Sequence, residues 1–373
     1  MHLANNARNI VLCIGFEMSN MVIDKNKPVL VTGATGYVAG WIVKRLLEEG
    51  ITVHAAVRNP DDHSKIKHLE QLAANLPGTL RFFKADLLQD NSFESAMTGC
   101  DIVFHTASPF TLDVKDPEKE LVEPAKLGTR NVLNTANKVS SVTRVVLTSS
   151  CAAIYGDNAD CENIPGGVFT EKDWNTTSTL HTKAYSFSKT VAEKEAWDIS
   201  KKQSNWRLVV VNPSLVLGPG INPQATSESF KIFQQMGNGK MKSGVPHLGM
   251  GVVDVRDLAE AHFKAAYLQD AAGRHIISGH NTTFVQIAAS LLPRFSAYPI
   301  PRRTIPKALV WLFAPLVDKT ITRTFVSRNM GWDWHADNSK SIQALGITYR
   351  PLEASTQDMF QQMIDSGAFL SKS

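Results

Sequence analysis

The chain has 373 residues, of which 43% are apolar and 20% charged, with a formal net charge of +4. These are ordinary globular values, enough for one large α/β domain or for a core with a smaller lobe. The charge is too small and too scattered along the chain for a nucleic-acid partner. Four cysteines, Cys13, Cys100, Cys151 and Cys161, show no CxxC pair and no metal spacing, so the expectation is a reduced thiol inventory, a cytoplasmic location and no metal.

The apolar run NIVLCIGF at 9–16 is too short to span a bilayer, and no signal-peptide pattern surrounds it. Residues 1–26, with Met18 and Met21 as further possible starts, are expected to be a disordered extension, and no membrane partner is expected. From Pro28 short β-branched runs alternate with helical stretches: PVLVTG, a helix from Tyr37 to Glu49 with Val38, Trp41, Ile42 and Leu46 inward, ITVHAAVR, and a polar helix near 62–74. LRFFKAD, a short helix at 92–98, DIVFHTAS, a long helix from Pro117 to Lys138, TRVVLTSS, a helix carrying Tyr185 and Lys189, and WRLVVVNPS follow. Apolar strands alternating with helices predict a Rossmann-type, doubly wound parallel sheet covered on both faces, with ligands outside the carboxyl ends of its strands. The alternation weakens after about 215. The core is therefore expected over 27–280 with an interleaved segment at 217–250, and a smaller, mostly substrate-binding C-terminal lobe over 281–373.

TGATGYVAG at 32–40 follows the first strand, where Gly33 and Gly36 permit a tight turn and close approach of backbone N–H groups to a pyrophosphate at a helix N-terminus. Ala39 is the small residue needed for helix–strand packing. The second strand ends in Val57-Arg58-Asn59 with no acid until Asp61, where an NAD site places a carboxylate. Arg58, with Lys65 one to two turns on, favours a 2′-phosphate and hence NADP(H). Asp86 ends the third strand and is the expected partner of an adenine amine, with Leu87 beside the ring.

HTKAYSFSK places Tyr185 and Lys189 four apart on one helical face. The ammonium is expected to lower the phenol's pKa, by about 1–3 units for a close opposite charge. Thr148-Ser149-Ser150 ends the fifth strand, where Ser150 can hold a substrate carbonyl oxygen. Cys151 is expected to pack behind the site. His181 lies near the pocket or in the first turn of the helix, and Trp311, Phe313, Trp332 and Trp334 are mostly expected in the core, some roofing an apolar substrate.

These stretches, together with VRNP, FFKADLLQD, VFHTASP, VVNPSLVLGP and VVDVRDLAEAH, resemble the extended short-chain dehydrogenase/reductases of the NAD-dependent epimerase/dehydratase superfamily. The branch is that of dihydroflavonol-4-reductase-like, cinnamoyl-CoA-reductase-like and yeast-type carbonyl reductases, and the resemblance covers about 28–280. It implies Ser150, Tyr185 and Lys189 as a catalytic triad. It further implies NADP contacts by Gly33, Gly36, Tyr37, Val38, Arg58, Lys65, Asp86, Leu87, Thr106, Ala107, Tyr185, Lys189, Pro213, Val216 and Ser227.

The chain departs from the branch in places. Tyr155 stands where the flavonoid reductases carry a substrate-binding Asn, and HTKAYSFSK replaces the NWYCY-type stretch of cinnamoyl-CoA reductases. Ser150-Cys151 supplies no carboxyl group for a sugar-nucleotide dehydratase, and Arg58 replaces the epimerases' carboxylate. The resulting expectation is an NADPH-dependent reductase of a medium-sized neutral aldehyde or ketone, monomeric or homodimeric. The alternatives are a nucleotide-sugar epimerase, a 3β-hydroxysteroid-type dehydrogenase, or a catalytically silent NADP-sensing protein. Arg302-Arg303 is the one basic pair that could serve a sugar diphosphate, and it reads as a solvated surface pair.

Overall fold

A computed structural model describes residues 23–108, 116–222, 227–317 and 321–369. The N-terminal run 9–16, Cys13 and both candidate starts lie outside the described residues. Seven parallel strands form the central sheet: β1 (Val29–Thr32), β2 (Thr52–Val57), β3 (Thr79–Lys84), β4 (Ile102–His105), β5 (Arg144–Thr148), β6 (Arg207–Pro213) and, later in the chain, β10 (Gly273–Ile277). Their order is β10-β6-β5-β4-β1-β2-β3, so the winding reverses between β1 and β4, and the crevice at that point is where such sheets take ligands.

Burial explains the apolar runs. β1 and β4 are buried at every residue, whereas the edge strand β3 alternates between exposed and half-buried positions. On one face the helices Tyr37–Glu48 and Val255–Tyr267 pack through Val43, Leu46, Leu258 and Phe263. On the other, helices Glu123–Lys138 and Ala184–Ser200 contribute Val132, Leu133, Ala196 and Ile199. Of the four residues expected inward on the first helix, Ile42 and Leu46 are buried. Val38 and Trp41 are half-buried, and the Trp41 indole N–H donates to the carbonyl of Pro219 at 2.7 Å.

The long helix expected from Pro117 begins as a π-helical turn, Glu118–Val122, before the α-helix proper. Pro124 has no N–H for the carbonyl four residues back, so the ordinary α bond cannot form there and the turn widens. The strand in GVVDVRDLAEAH does not join the central sheet. As β9 (Gly249–Asp254) it lies between β7 (Leu215–Leu217, parallel) and β11 (His280–Thr283, antiparallel). A third, two-stranded sheet pairs β8 (Val245–Pro246) with β12 (Thr304–Ile305). Around β7 and β9 a separate apolar cluster gathers Phe230, Phe233, Phe295, Phe360 and Met363. The chain then returns to the larger core through Leu345 and Ile347.

One buried cation ties the sheet to its outer helix. Arg144, at the start of β5, donates to the carbonyls of Ala265, Ala266, Leu268 and Gln269, the C-terminal end of helix Val255–Tyr267. It thereby satisfies carbonyls that a helix end leaves unpaired and places a positive charge at the negative end of the dipole. Burial and Arg207 hold it at about 10, below the usual guanidinium value and still charged at neutral pH. Arg144→Met is expected to cost about 2–3 kcal/mol in chemical denaturation, because the carbonyls are left without a charged donor.

Candidate active site

The residues expected to bind the cofactor or act on the substrate lie at or just beyond the carboxyl end of a strand, or on or at the start of a helix that follows one. Gly33 takes φ +64°, and a Cβ there would lie 3.0 Å from the Cβ of Ala107. Only glycine allows β1 to turn this close to the segment after β4. Gly36 is the N-cap of helix Tyr37–Glu48, which has no side-chain cap and no acid in its first turn. Its leading N–H groups therefore face outward with no competing anion, the arrangement that holds a phosphate. The residues present thus fit a dinucleotide.

Thr32 ties this turn together. Its hydroxyl accepts the N–H groups of Thr106 at 3.1 Å and Ala107 at 3.0 Å, and lies 3.0 Å from Nδ1 of His105. With both lone pairs used, the hydroxyl donates to Nδ1, which places the imidazole proton on Nε2. Burial and the nearby Lys189 charge push His105 down to about 3, so it is neutral. Thr106 returns a hydrogen bond from its own hydroxyl to the Thr32 carbonyl.

Around the adenosine end the expectations fare unequally. Arg58 is exposed at the end of β2 and has no ion pair among the described residues. Lys65, by contrast, pairs with Asp62 at 3.3 Å, and Ser64 and Lys65 hold that carboxyl below its ordinary range. Of the two cations, Arg58 is the one without a carboxylate partner among the described residues. One oxygen of Asp86 accepts the N–H of Leu88 at 2.9 Å and shapes the turn after β3. Leu87 packs on Gly128. The Tyr37 hydroxyl donates to the Gly218 carbonyl at 2.6 Å, so this side chain braces the loop after β7 and only its backbone faces the cradle. Val38 sits half-buried one residue on, Pro213 ends β6 and Val216 lies within β7. Ser227 is the N-cap of helix Glu228–Gly237, with its hydroxyl 2.9 Å from that of Ser229.

Ser150, Tyr185 and Lys189 do come together. The Ser150 hydroxyl accepts the Ala152 N–H at 3.1 Å and hydrogen-bonds the Tyr185 phenol. The Lys189 ammonium lies 5.8 Å from the centroid of the Tyr185 ring, one turn along the helix. The expected lowering of the phenol's pKa is not found. Tyr185 is 37% exposed but set in dense protein, and burial pushes its phenol up to about 12 against the opposing Ser150 hydrogen bond. Burial also presses Lys189 down to about 8, partly offset by Glu193. Both groups lose solvation together, and that loss outweighs the attraction an ammonium at this distance offers a phenolate. At neutral pH the phenol therefore keeps its proton, the form a proton donor needs.

The helix carrying the pair starts at Ala184, so exposed His181 lies before its first turn. Lys183 precedes it in a left-handed conformation, φ 56°, held by an ion pair to Asp157 at 2.6 Å and a 2.9 Å bond to Asn329. Cys151 is buried behind Ser150, its thiol donating to the Asn212 carbonyl at 3.3 Å and raised by burial well above the ordinary range, as expected of a packing residue. Tyr155 stacks against Phe169 and Trp334, centroids at 5.0 and 5.5 Å. Trp334 is therefore core, but Trp311 and Phe313 are exposed, contrary to expectation.

Glu193 was not singled out in the sequence. It lies one turn beyond Lys189, 1% exposed, and accepts from Ser149 at 2.5 Å, Asn212 at 2.8 Å and Arg274 at 2.6 Å. Asn212 in turn donates to the Ser150 carbonyl at 3.2 Å, and Trp174 covers the Arg274 guanidinium at 4.0 Å. The YxxxK spacing continued by four residues would have pointed to Glu193, whereas Arg274, 81 residues away, leaves no local signal. A cavity of about 650 Å³ opens on the opposite face of the sheet, lined by Lys44, Arg45, Glu48, Arg256 and Arg350 among others. Those side chains pair with acids, so it offers an anion no uncompensated charge.

A model of the NAD dependent epimerase/dehydratase family matches residues 29–278. The chain belongs to this family. It is 35% identical over 340 residues to a cinnamoyl-CoA reductase of Medicago truncatula, covering 90% of this chain and 95% of that one. It is 39% identical over 330 residues to cinnamoyl-CoA reductase 1 of Arabidopsis thaliana, covering 86% and 90%. Among solved structures, yeast methylglyoxal/isovaleraldehyde reductase Gre2 complexed with NADPH superposes with a TM-score of 0.76 at 28% identity, over 92% of this chain and 100% of that one. No helix among the described residues is long and apolar enough to cross a membrane.

Removing the Arg274 cation should be severe, because it leaves a carboxylate buried without its partner. Arg274→Met is expected to lose about 3–5 kcal/mol of stability in urea unfolding. A loss under 1 kcal/mol would show that Glu193 does not depend on the pair.

Proposed function

We propose that the protein reduces the carbonyl group of a medium-sized, neutral aldehyde or ketone to an alcohol with NADPH. The observation that carries this reading is the hydrogen bond between the Ser150 hydroxyl and a protonated Tyr185 phenol, with Lys189 one turn away. NADPH, when bound, supplies the hydride for the carbonyl carbon. The two hydroxyls lie close enough to hydrogen-bond each other, so a carbonyl oxygen that enters between them can accept a proton from each. As the oxygen gains negative charge, the Tyr185 proton passes to it, and the Lys189 ammonium steadies the phenolate that remains. The glycine turn and the open end of helix Tyr37–Glu48 hold the pyrophosphate, and Arg58 meets the 2′-phosphate.

The relatives named as reductases and the NADPH complex of the yeast enzyme support this reading. Five residues after Ser150, Tyr155 packs with Phe169 and Trp334 in an aromatic cluster, which supports a neutral compound as substrate. A nucleotide sugar would call for a concentrated arginine site. Arg302 and Arg303 are exposed and donate instead to the carbonyls of Ser296 and Ser243. Cys100, Cys151 and Cys161 are free thiols, which suits a reducing cytoplasm.

Tyr185→Phe is expected to bind NADPH and turn over aldehydes at under about 1% of the wild-type rate, since positioned acid–base groups contribute roughly 10²–10⁴-fold. Retention of more than a tenth would remove Tyr185 from this role. Ser150→Ala is expected to lower kcat by roughly 10²–10³.

Cofactor choice is tested separately by fluorescence titration. Arg58→Ala should weaken NADPH binding by about 10–150-fold, the equivalent of one charge-assisted hydrogen bond, and leave NADH binding nearly unchanged. Equal losses for the two cofactors would place Arg58 away from the 2′-phosphate.

A further inference from the structure

Helix Lys307–Val317, KALVWLFAPLV, has one charged residue and presents its apolar side to solvent. Leu309, Leu312, Phe313 and Leu316 recur at i, i+3, i+4 and i+7, the spacing of a single helical stripe. In a globular domain that stripe faces the core, yet here Phe313 is 53% and Leu316 80% exposed. A stripe of this kind marks a surface meant to be covered.

The surroundings decide by what. Arg302, Arg303, Lys307 and Arg323 are all exposed and lie around the helix. Arg302, Arg303 and Lys307 donate to the carbonyls of Ser296, Ser243 and Ser327, and Arg323 lies over the Trp311 ring at 4.7 Å. None of the four pairs with a carboxylate among the described residues. From Ala297 to Val317 the sequence contains no Asp or Glu. Through the β8–β12 pairing and the Arg303–Ser243 bond, the segment carrying exposed Lys240 and Lys242 adjoins the same rim.

We propose that this helix docks the protein on an anionic lipid surface, lying in the interface with Leu309, Leu312, Phe313 and Leu316 in the acyl boundary. An apolar stripe flanked by uncompensated Lys and Arg is complementary to a bilayer with acidic headgroups, where hydrophobic burial and electrostatic attraction add. A second copy of the chain is a poorer cover. It would bring two cationic rims together, and the stripe exposes on the order of a few hundred Å², less than the about 800 Å² per partner of a stable interface. The docking helix packs on helix Arg323–Asn329, whose Asn329 and Arg328 hold Asp157 and whose Phe325 lies 5.6 Å from the Lys183 ammonium. The lipid surface thus lies one helix away from the start of the catalytic helix, a position from which an apolar carbonyl compound dissolved in lipid reaches the site. The docking itself stands apart from the reductase reading.

The test is flotation of the full-length protein with vesicles of phosphatidylcholine alone and of phosphatidylcholine mixed with phosphatidylserine. The wild type is expected to float with the mixed vesicles, with at least about tenfold less bound to phosphatidylcholine alone or in about 0.5 M NaCl, where charges are screened beyond a few Å. Leu312→Ser with Phe313→Ser should abolish flotation while thermal melting and NADPH binding stay unchanged, since both side chains are exposed. Arg302→Glu with Arg303→Glu should do the same for the mixed vesicles. No flotation of the wild type, or flotation undiminished in either double variant, would overturn the proposal. So would a micromolar dimer of the wild type that the Leu312→Ser, Phe313→Ser variant loses in light scattering, which would make a second copy the occupant. A changed KM for a water-soluble aldehyde in that variant without lipid would assign the stripe to the substrate instead.

Discussion

Where β5, β6, β10 and the catalytic helix meet, a carboxylate that water scarcely reaches accepts hydrogen bonds from each of the three strands or their ends. Glu193 is worth burying only because Arg274 supplies an opposite charge and Ser149 and Asn212 fill its remaining acceptor sites. The consequences reach every group of the proposed catalytic set. Ser149 fixes the end of β5 and so the backbone of Ser150, and Asn212 holds the Ser150 carbonyl from the neighbouring strand. Lys189, one turn away on the same helix, feels the carboxylate as the one influence that opposes its desolvation. Geometry and proton state in the site thus share a single anchor.

On the cofactor side Thr32 has the corresponding part on a smaller scale. A hydroxyl at the last position of β1 gathers the first two N–H groups beyond β4 and fixes the tautomer of His105. The turn at Gly33 is thereby held against Ala107 at a distance that only a residue without a side chain tolerates. Lys189 reaches toward this cluster from the other side, since its charge helps keep His105 neutral. The two halves of the crevice are therefore coupled through adjacent strand ends, β1, β4 and β5.

Much of this was legible in the sequence where the signal is local. The alternation of β-branched runs with helices gives the sheet, and Gly33, Gly36, Tyr185 and Lys189 announce themselves because a tight turn and an i, i+4 pair are short-range patterns. What escaped depends on distance along the chain or on solvation. The Glu193–Arg274 pair and the bonds of Asp157 and Lys183 to Asn329 join residues 81 to 172 positions apart. The phenol of Tyr185 was expected below its ordinary value, because the sequence shows the ammonium but not the burial that outweighs it. Nor does the sequence show that Lys65 pairs with Asp62 while Arg58 has no such partner among the described residues. Trp311 and Phe313 read as core because apolar helices normally are; nothing in KALVWLFAPLV says which side is left uncovered.

The most direct test of the central claim is the pH profile of kcat/KM for carbonyl reduction in the wild type and in Glu193→Gln. In the proposed mechanism reduction requires the Lys189 ammonium, and burial has lowered its pKa to about 8 while Glu193 raises it. The wild-type rate should therefore be level below about pH 8 and fall as pH rises through that value. Neutralising Glu193 removes the influence that favours the charged form, so the fall should begin at lower pH in Glu193→Gln. A descending limb that stays in place, or moves to higher pH, would contradict the account.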